Sequence, residues 1–258
     1  MIKSLTLNSY QGILFQRFNR FGTSPWLIPI GLYHRNRKRP GLQFCPLCLS
    51  EDIIPYFRKF WRLSIVCLCP KHGCILRDTC SECGSPVAFH RNYMGNKNTI
   101  PVYNITQCHN CHADLRSNRV RREISGLPLK WVNLYKRMLA EFIDRKWINL
   151  PSSSIVYPHL FYDGVKVLIA VLKSNCAKKA KDSILNNFKF DIRAYFPENL
   201  RQLEFNRVSV IQRLAVLALV AFLLNDWPIN LKAIELSKSM FKDHNHELPY
   251  WIYRLFYS

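Results

Sequence analysis

Residues 43–91 read QFCPLCLSEDIIPYFRKFWRLSIVCLCPKHGCILRDTCSECGSPVAFHR and hold seven of the ten cysteines of the 258-residue chain. The chain begins MIKSLTLNSYQGILFQRF, which lacks the apolar core and the small-residue cleavage site of a secretory signal. We therefore expect an intracellular protein. Because disulfides are rare in a reducing compartment, we expect the clustered cysteines to bind metal ions rather than to pair with one another.

Four short pairs of metal-binding residue types occur within and just after this stretch. Two intervening residues let both side chains of a tight turn face one ion, and this spacing is common in tetrahedral zinc sites. The pairs are Cys45 and Cys48, Cys69 and His72, Cys80 and Cys83, and Cys108 and Cys111. Taken in order, they predict one site of three cysteines and one histidine and a second site of four cysteines. Neither site leaves an open coordination position, so the sequence predicts two structural Zn²⁺ ions.

Other residues offer alternatives to this ligand set. Cys67 is a possible substitute for Cys69, although the spacing from Cys69 to His72 is the more usual one for zinc. His109 and His112 lie inside and beside the last pair, so either one is an alternative to a cysteine of the second site. The remaining cysteines, Cys67, Cys74 and Cys176, suit the role of small apolar side chains in a core.

The composition indicates a folded protein with a polyanionic partner. Apolar residues make up 48% of the chain, which is enough for a sizeable core, and the formal net charge is +20. This charge exceeds what solubility needs and favours nucleic acid or an acidic surface as a partner. The densest basic run, our candidate for nucleic-acid binding, consists of Arg35, Arg37, Lys38 and Arg39. A solvated loop is the alternative interpretation of this run.

The segment Pro55–Arg62, PYFRKFWR, mixes aromatic and cationic residues between the first two pairs. Such residues stack on bases in some nucleic-acid-binding proteins. A small zinc module has little core of its own, however, so we favour packing of these aromatic side chains around the zinc sites.

The sequence predicts three regions and a mainly α fold. Residues 1–42 form an N-terminal segment with the basic run, residues 43–122 form two consecutive zinc fingers, and residues 123–258 form a multi-helix domain that resembles helix-turn-helix proteins. A helical stripe that includes Tyr135, Leu139 and Trp147 is expected to face the core.

Four further helices are expected in the last region: one that begins near Pro158, a buried one over 207–225, one in INLKAIELSKSMF and a final one in ELPYWIYRLFYS. The apolar run of the second is too short to span a bilayer. Sequence does not indicate which helix, if any, would enter a DNA groove.

Enzymatic activity is not expected. The His-Glu-x-x-His motif of zinc hydrolases and the His-x-Glu with Pro-Cys-x-x-Cys signature of zinc deaminases are both absent. The Gly-x-x-x-x-Gly-Lys loop that holds nucleotide phosphates is absent as well. Metal sites with four protein ligands also lack the open position that catalysis requires.

The cysteine-rich stretch resembles the zinc module of the TniQ/TnsD family of bacterial transposon target-selection proteins, with the pattern CPxCLxxD…PYxRxxWR…CxxHxxxLxxxCxxC. The matching residues are Cys45, Cys48, Leu49, Asp52, Pro55, Tyr56, Arg58, Trp61, Arg62, Cys69, His72, Leu76, Cys80 and Cys83, and Cys108 and Cys111 complete the second finger. RLAVLALVAFLLNDWP and LPYWIYRLF are similar to the family's helical tail, so the resemblance covers roughly residues 25–258. The acidic, Ser-Leu-rich segment that usually begins these proteins is not evident.

The resemblance implies an adaptor that selects the insertion site. Such a protein would bind target DNA directly or dock on an RNA-guided CRISPR effector complex. It would then recruit the AAA+ ATPase (TnsC-like) that brings in the transposase. Family members are expected in the bacterial cytoplasm, at the nucleoid, and some act as homodimers. A stand-alone, zinc-containing, sequence-specific DNA-binding regulator is the alternative.

Overall fold

The fold is described from a computed structural model that defines residues 5–19, 24–29, 42–88, 104–116, 133, 135–137, 139–140, 147–150, 155–173, 182, 204–233 and 248–257. The chain divides into two units. One, here called the cysteine unit, comprises Trp26–Glu123 and Glu204–Arg213. The other, the helical unit, comprises Met1–Pro25, Ile124–Leu203 and Leu214–Ser258.

The described residues of the cysteine unit form tight hairpins, a short α-helix, α1, over Pro46–Glu51, and a 3₁₀ turn over Lys59–Arg62. Proline suits the first turn of this helix because the amide that it lacks would have no partner within the helix. Isolated antiparallel bridges, such as those of Phe44 with Arg77 and Leu68 with Ile75, hold neighbouring segments together. The unit thus relies on local turns and on its metal-binding residues more than on regular secondary structure.

A segment distant in sequence completes the core of the cysteine unit. A 3₁₀ turn spans Phe205–Arg207, and the Phe205 ring contacts the edge of Trp26, with 5.5 Å between ring centroids. The Ser64 hydroxyl donates a hydrogen bond to the side-chain oxygen of Asn206 at 2.6 Å. The Val210 amide donates to the buried Asp78 carboxylate, also at 2.6 Å. Residues 204–213 therefore fold with residues that precede their partners by 132 positions or more in the chain.

Arg213 is the largest polar side chain in this core and is only 1% exposed. Its guanidinium donates hydrogen bonds to the Val208 carbonyl and, at 2.8 Å, to Oε1 of Gln43. The Gln43 amide in turn donates to the carbonyls of Leu63 and Val66 at 2.8 and 2.7 Å. Both terminal nitrogens of the guanidinium thus have acceptors, whereas its buried Nε has none. The two bonds fix the end of the segment against the hairpins.

The expected packing of the aromatic residues of 55–62 is confirmed in part, because Trp61 is buried and Phe57 and Phe60 are half-buried. Trp61 is 1% exposed and lies edge-on to Phe57, at 5.7 Å between ring centroids. Arg58 forms an ion pair with Asp52 at 2.8 Å. Tyr56 is the exception, because 54% of its surface is exposed.

The helical unit contains a two-stranded ribbon and three longer helices among its described residues. The ribbon pairs β1, Ile148–Asn149, with β2, Ile155–Val156, in antiparallel register. Helix α2 spans Pro158–Lys173, α3 spans Val210–Asn225, α4 spans Ile229–Ala233 and α5 spans Tyr250–Tyr257. The first four residues of α3 belong to the cysteine unit. These bounds confirm the helices predicted near Pro158, over 207–225 and in ELPYWIYRLFYS. Helix α4 is the start of the helix predicted in INLKAIELSKSMF, and the rest of that stretch lies outside the described residues.

Helix α3 is apolar on nearly all sides, as a buried helix should be. Every residue from Arg213 to Ala221 is buried. Within the described part of the chain, no helix has the length and apolar character needed to cross a membrane.

A tryptophan fixes helix α5 against α2. The Trp251 indole is 3% exposed, and its N–H donates to the Leu160 carbonyl at 3.1 Å. It stacks on Phe161 with 5.8 Å between ring centroids. Gly164 lies directly beneath the indole, where a Cβ atom would be 2.0 Å from Trp251 Cζ2. Glycine is therefore required at this position by close approach rather than by backbone conformation.

The helical stripe expected to end at Trp147 is only partly confirmed. Tyr135 and Leu139 are buried at 3% and 4% exposure on helical backbone. Trp147, in contrast, directly precedes β1 and is 49% exposed, so its assignment to the core was wrong. Trp147 fits the helical spacing of apolar residues, although the chain is extended at that position. Strands β1 and β2 have two residues each, which is too short for an alternating pattern to be recognised in the sequence.

Candidate metal centres

Three of the four ligand pairs lie on hairpins of the same design. In each hairpin, the backbone amide of the first ligand residue donates a hydrogen bond to the backbone carbonyl of the residue five positions later. The backbone amide of the residue four positions later donates to the backbone carbonyl of that first ligand residue. The first of these two bonds joins the amide nitrogen of one residue to the carbonyl oxygen of the other: Cys69 to Cys74 at 2.8 Å, Cys80 to Ser85 at 2.8 Å and Cys108 to Ala113 at 2.9 Å. This short loop points both side chains of the pair to one side.

The residue that follows the second ligand closes each hairpin in the left-handed conformation. Gly73 and Gly84 have φ of 64° and 67°, and His112 has φ of 59° at the matching place in the third hairpin. Glycine is favoured there because it has no Cβ, and histidine is among the side chains that tolerate it. His112 thus shapes the turn and is not among the four clustered residues of its site.

The pair Cys45 and Cys48 is presented differently, by the start of helix α1. Cys45 is the N-cap residue, and its Sγ accepts a hydrogen bond from the Cys48 amide at 3.4 Å. An amide directed at sulfur stabilises the thiolate form, which is the form that binds metal.

The first cluster joins Cys45, Cys48, Cys69 and His72, whose ligand atoms all lie within 4.8 Å of one another. The His72 ring presents Nδ1 to the sulfurs, at 3.3 Å from Cys45 Sγ and 3.3 Å from Cys48 Sγ. The Sγ atoms of Cys48 and Cys69 are 3.6 Å apart. The structure therefore brings together the four residues expected to form the site of three cysteines and one histidine.

The second cluster joins Cys80, Cys83, Cys108 and Cys111, again within 4.8 Å. The Sγ atoms of Cys80 and Cys111 are 3.7 Å apart, and those of Cys83 and Cys108 are also 3.7 Å apart. Cys80 and Cys108 are buried, whereas Cys83 and Cys111 are exposed. This cluster contains the four cysteines of the expected second site.

Both clusters fit a tetrahedral zinc ion. With Zn–S bonds of about 2.3 Å, the edge between two sulfurs of a tetrahedron is about 3.8 Å, and an edge from sulfur to nitrogen is about 3.5 Å. The observed separations of 3.6 and 3.7 Å between sulfurs and of 3.3 Å from sulfur to nitrogen lie close to these values. Sulfur and imidazole donors are those that Zn²⁺ prefers, and four of them complete its coordination.

The thiols differ in how readily they lose their protons. Burial raises the pKa of the Cys108 thiol to about 12, because a buried thiolate is poorly solvated. A hydrogen bond from the Ser85 side chain is the main cause that lowers the pKa of the exposed Cys83 to about 6. A bound divalent cation would offset the burial of such thiolates, since a coordinating thiol is deprotonated outright.

His72 has an outer partner that the sequence did not reveal. Its Nε2 atom faces Oε1 of Glu51, the last residue of α1, at 2.9 Å. The Lys71 ammonium donates to the other oxygen of Glu51 at 2.5 Å, and this bond is the main cause of the lowered pKa of the Glu51 carboxyl. An ionised carboxylate can only accept, so Nε2 is the donor of this contact, and Nδ1 is the ring nitrogen that faces the sulfurs and would bind a metal.

The other cysteines near the clusters have separate roles. Cys67 donates from its Sγ to the Ser64 carbonyl at 3.6 Å and is not part of either cluster, so it does not replace Cys69. Cys74 was expected to be a core thiol, and it is fully buried. Its Sγ lies 3.5 Å from Cys45 Sγ, which places a fifth sulfur beside the first cluster. Cys176 lies outside the described residues.

The predicted nucleic-acid contacts are not tested by the structure. Arg35, Arg37, Lys38 and Arg39 all lie outside the described residues. The turn residues and the alternating pattern over 91–107 predict a short hairpin or ribbon, which also lies mostly outside the described residues, and only 104–107 are described. Both assignments remain predictions.

Two sets of four converging Cys and His side chains define a protein with two clusters that are positioned to bind metal ions. The TniQ family model matches residues 1–76, which confirms the resemblance found in the sequence over that part of the chain. The match includes all four residues of the first cluster and begins at the first residue, earlier than the expected start near residue 25. No curated protein and no solved structure matches the chain.

Proposed function

We propose that this protein is a target-selection adaptor of a transposon. It would link a DNA-targeting element, either an RNA-guided CRISPR effector complex or the target DNA itself, to the AAA+ ATPase regulator (TnsC-like) that recruits the transposase. The observation that carries this proposal is the TniQ match over residues 1–76, which contains the complete first cluster.

In this proposal each cluster holds one Zn²⁺ ion with a structural role. The cysteine unit has few regular elements, so metal binding would supply much of the free energy that keeps its hairpins together. Four protein ligands leave no position for a substrate or an activated water, which supports a role in binding rather than in catalysis. We therefore propose that the protein is not an enzyme.

The formal charge supports contact with nucleic acid. Two zinc ions add four positive charges and seven cysteine thiolates add seven negative charges, so the charge changes from +20 to about +17. We propose that the basic run Arg35, Arg37, Lys38 and Arg39 contacts phosphates. We further propose that α3 and α4, which are joined by Asp226–Pro228, form a helix-turn-helix-like element. A cytoplasmic, nucleoid-associated homodimer completes the proposal.

The first test is a binding titration of the full-length, zinc-loaded protein. Duplex DNA from the native insertion region and a scrambled duplex would be compared at two salt concentrations, one of them physiological. A preference of roughly a thousandfold for the native duplex would show direct reading of DNA. Weak, salt-sensitive binding without preference would show that the specificity comes from a guide-RNA complex.

The second test separates an adaptor from a stand-alone regulator. The zinc-loaded protein would be immobilised and exposed to the purified AAA+ ATPase of the same transposon with ATP. Stable capture of the ATPase is expected, and capture should fall when zinc is removed with a chelator. Absence of capture together with strong preference for a duplex from its own promoter would contradict the adaptor function and support the regulator.

The basic run is tested by its salt dependence. Replacement of the four residues by Gln should flatten the dependence of the affinity on salt, because each lost phosphate contact lowers the slope by about 0.9. Replacement of Arg17, Arg116, Lys136 and Arg137, which are four exposed described residues elsewhere in the chain, is the control for loss of the same net charge. An equal change in both variants would assign the run to a solvated loop.

A further inference from the structure

The outer face of the two-stranded ribbon in the helical unit carries unusually apolar side chains. Ile148 and Val156 pair across the ribbon and point inward, at 2% and 0% exposure. Since side chains alternate along a strand, the residues beside them point outward. Three of these are large and exposed: Trp147 at 49%, Ile155 at 59% and Tyr157 at 51%. We call these three residues the aromatic ribbon face.

The two rings of this face lie against each other at the ribbon's end. Trp147 directly precedes β1 and Tyr157 directly follows β2, so the register that pairs Ile148 with Val156 also places the two rings opposite each other. Their centroids are 4.1 Å apart with planes inclined by 43°. About half of each side chain remains exposed despite this contact. The pair forms an aromatic surface that is held in place and open to solvent.

Helix α5 continues this surface with further aromatic and cationic groups. The Tyr250 hydroxyl donates to the Ile155 carbonyl at 2.7 Å, which ties the helix to the ribbon. The Arg254 guanidinium lies over the Tyr250 ring at 5.6 Å from its centroid, and Arg254 is exposed. In the sequence, Arg145 and Lys146 directly precede Trp147. Cations therefore accompany the exposed rings, both in the fold and along the chain.

Exposed aromatic surface beside cations suits a ligand with flat faces and negative charge. Unpaired bases present such faces, and each base stacked on an aromatic side chain adds substantially to affinity without requiring a particular sequence. A chain of net charge +20 attracts the phosphates that accompany those bases. Bases within a duplex are already stacked on each other, so duplex DNA offers this face only its phosphates.

We propose that the aromatic ribbon face binds single-stranded nucleic acid by stacking unpaired bases on Trp147 and Tyr157. The site lies in the helical unit, whereas both metal clusters lie in the cysteine unit. It goes beyond the proposed target-selection function and does not depend on it, because stacking on these rings requires neither an ATPase nor a transposon.

The test measures binding of fluorescein-labelled 20-mers of oligo(dT) and oligo(rU) to the full-length, zinc-loaded protein by anisotropy. Trp147→Ala and Tyr157→Ala should each weaken binding by about 5- to 100-fold. Tyr157→Phe should bind like wild type because it keeps the ring. Ile53→Ala is the control for loss of exposed apolar surface, since Ile53 is 100% exposed and belongs to the cysteine unit, and it should leave the affinity unchanged.

Two further measurements make the outcome specific. The dependence of affinity on salt should keep its slope in both alanine variants, because stacking releases no counterions. Preference for oligo(dT) or oligo(rU) distinguishes a displaced DNA strand from an RNA as the source of the bases. A 20-base-pair duplex should bind equally to wild type and to the variants.

Ultraviolet cross-linking of the unmodified protein to the same oligonucleotides provides a test that needs no folded variant. Cross-linked peptides are expected to include Trp147 or Tyr157. Cross-links found only elsewhere, or folded alanine variants that bind the oligonucleotides like wild type, would overturn the proposal. Alanine variants that retain oligonucleotide binding but lose the ATPase would instead identify the face as a protein interface, which also overturns it.

Discussion

Removal of the Glu51 carboxylate should weaken metal binding at the first cluster while the second cluster is unaffected. Glu51 contacts His72 through Nε2 at 2.9 Å, on the side of the ring opposite to the sulfurs. The carboxylate holds the proton on Nε2 and fixes the rotation of the ring, so that Nδ1 stays directed at the metal position. The most direct perturbation is Glu51→Ala, which removes both the charge and the acceptor.

The expected size of the effect follows from the exposure of the carboxylate. Loss of such an outer partner typically weakens metal binding by about 10- to 100-fold. The Glu51 side chain is 49% exposed, so water can partly replace it as acceptor for the histidine. We therefore expect the lower limit, about 10-fold. Glu51→Gln keeps an acceptor but loses the charge, and its effect should be smaller.

The assay is transfer of zinc from the full-length protein to a chromophoric chelator. Two sites should give two phases, and Glu51→Ala should shift one of them about tenfold and leave the other unchanged. Lys71→Ala is the control, because it removes the 2.5 Å ion pair with Glu51 and retains the contact with His72. Such an exposed ion pair contributes little, so transfer should change less than about twofold.

Two results would refute this reasoning. If a folded Glu51→Ala protein released both ions as the wild type does, the carboxylate would not orient the histidine. If Lys71→Ala had an equal effect, the local charge balance rather than the contact with His72 would be responsible.

Three other substitutions have defined outcomes. Cys83→Ser should reduce the zinc content measured by mass spectrometry from two ions to one, because it removes one of the four ligands of the second cluster. Unchanged zinc content and an unchanged melting temperature would contradict this ligand assignment, and Cys67→Ser is the control that should keep two ions. Gly164→Ala should lower the free energy of unfolding in urea by about 2 kcal/mol, because overpacking against Trp251 destabilises by about 3 kcal/mol and the higher helix propensity of alanine stabilises by about 1 kcal/mol. A more stable variant would show that the indole moves freely. His112→Gly should keep both ions and raise stability by up to about 1 kcal/mol, because the left-handed conformation costs histidine more than glycine; loss of an ion would identify His112 as a ligand.

The spacing of the ligand pairs was sufficient to predict which residues converge. A pair separated by two residues is a local feature, and its geometry depends on a hairpin of about six residues rather than on the rest of the fold. The helices that begin at Pro158 and span 210–225 could also be predicted from the sequence, because each is long and has a consistent apolar pattern.

Features that depend on distant residues were not accessible from the sequence. Glu51 reaches His72 only because α1 ends beside the second pair, and neither residue indicates this contact by its position in the sequence. Residues 204–213 joined the cysteine unit through Arg213 and Val210, whose partners precede them by 170 and 132 residues. Such contacts are set by tertiary packing, for which one sequence gives no periodic signal.

The separation between residues 204–213 and their partners also has a consequence for synthesis on the ribosome. The ligands of each cluster are close in sequence, with 27 residues from Cys45 to His72 and 31 from Cys80 to Cys111. At about 5–20 residues per second, the 132 residues between Asp78 and Val210 take roughly 7 to 26 s to translate. Both metal sites can thus be assembled on the growing chain before the segment that covers the Asp78 carboxylate exists. Zinc supply at that stage would determine whether the nascent hairpins are held together by metal ions until residues 204–213 complete their core.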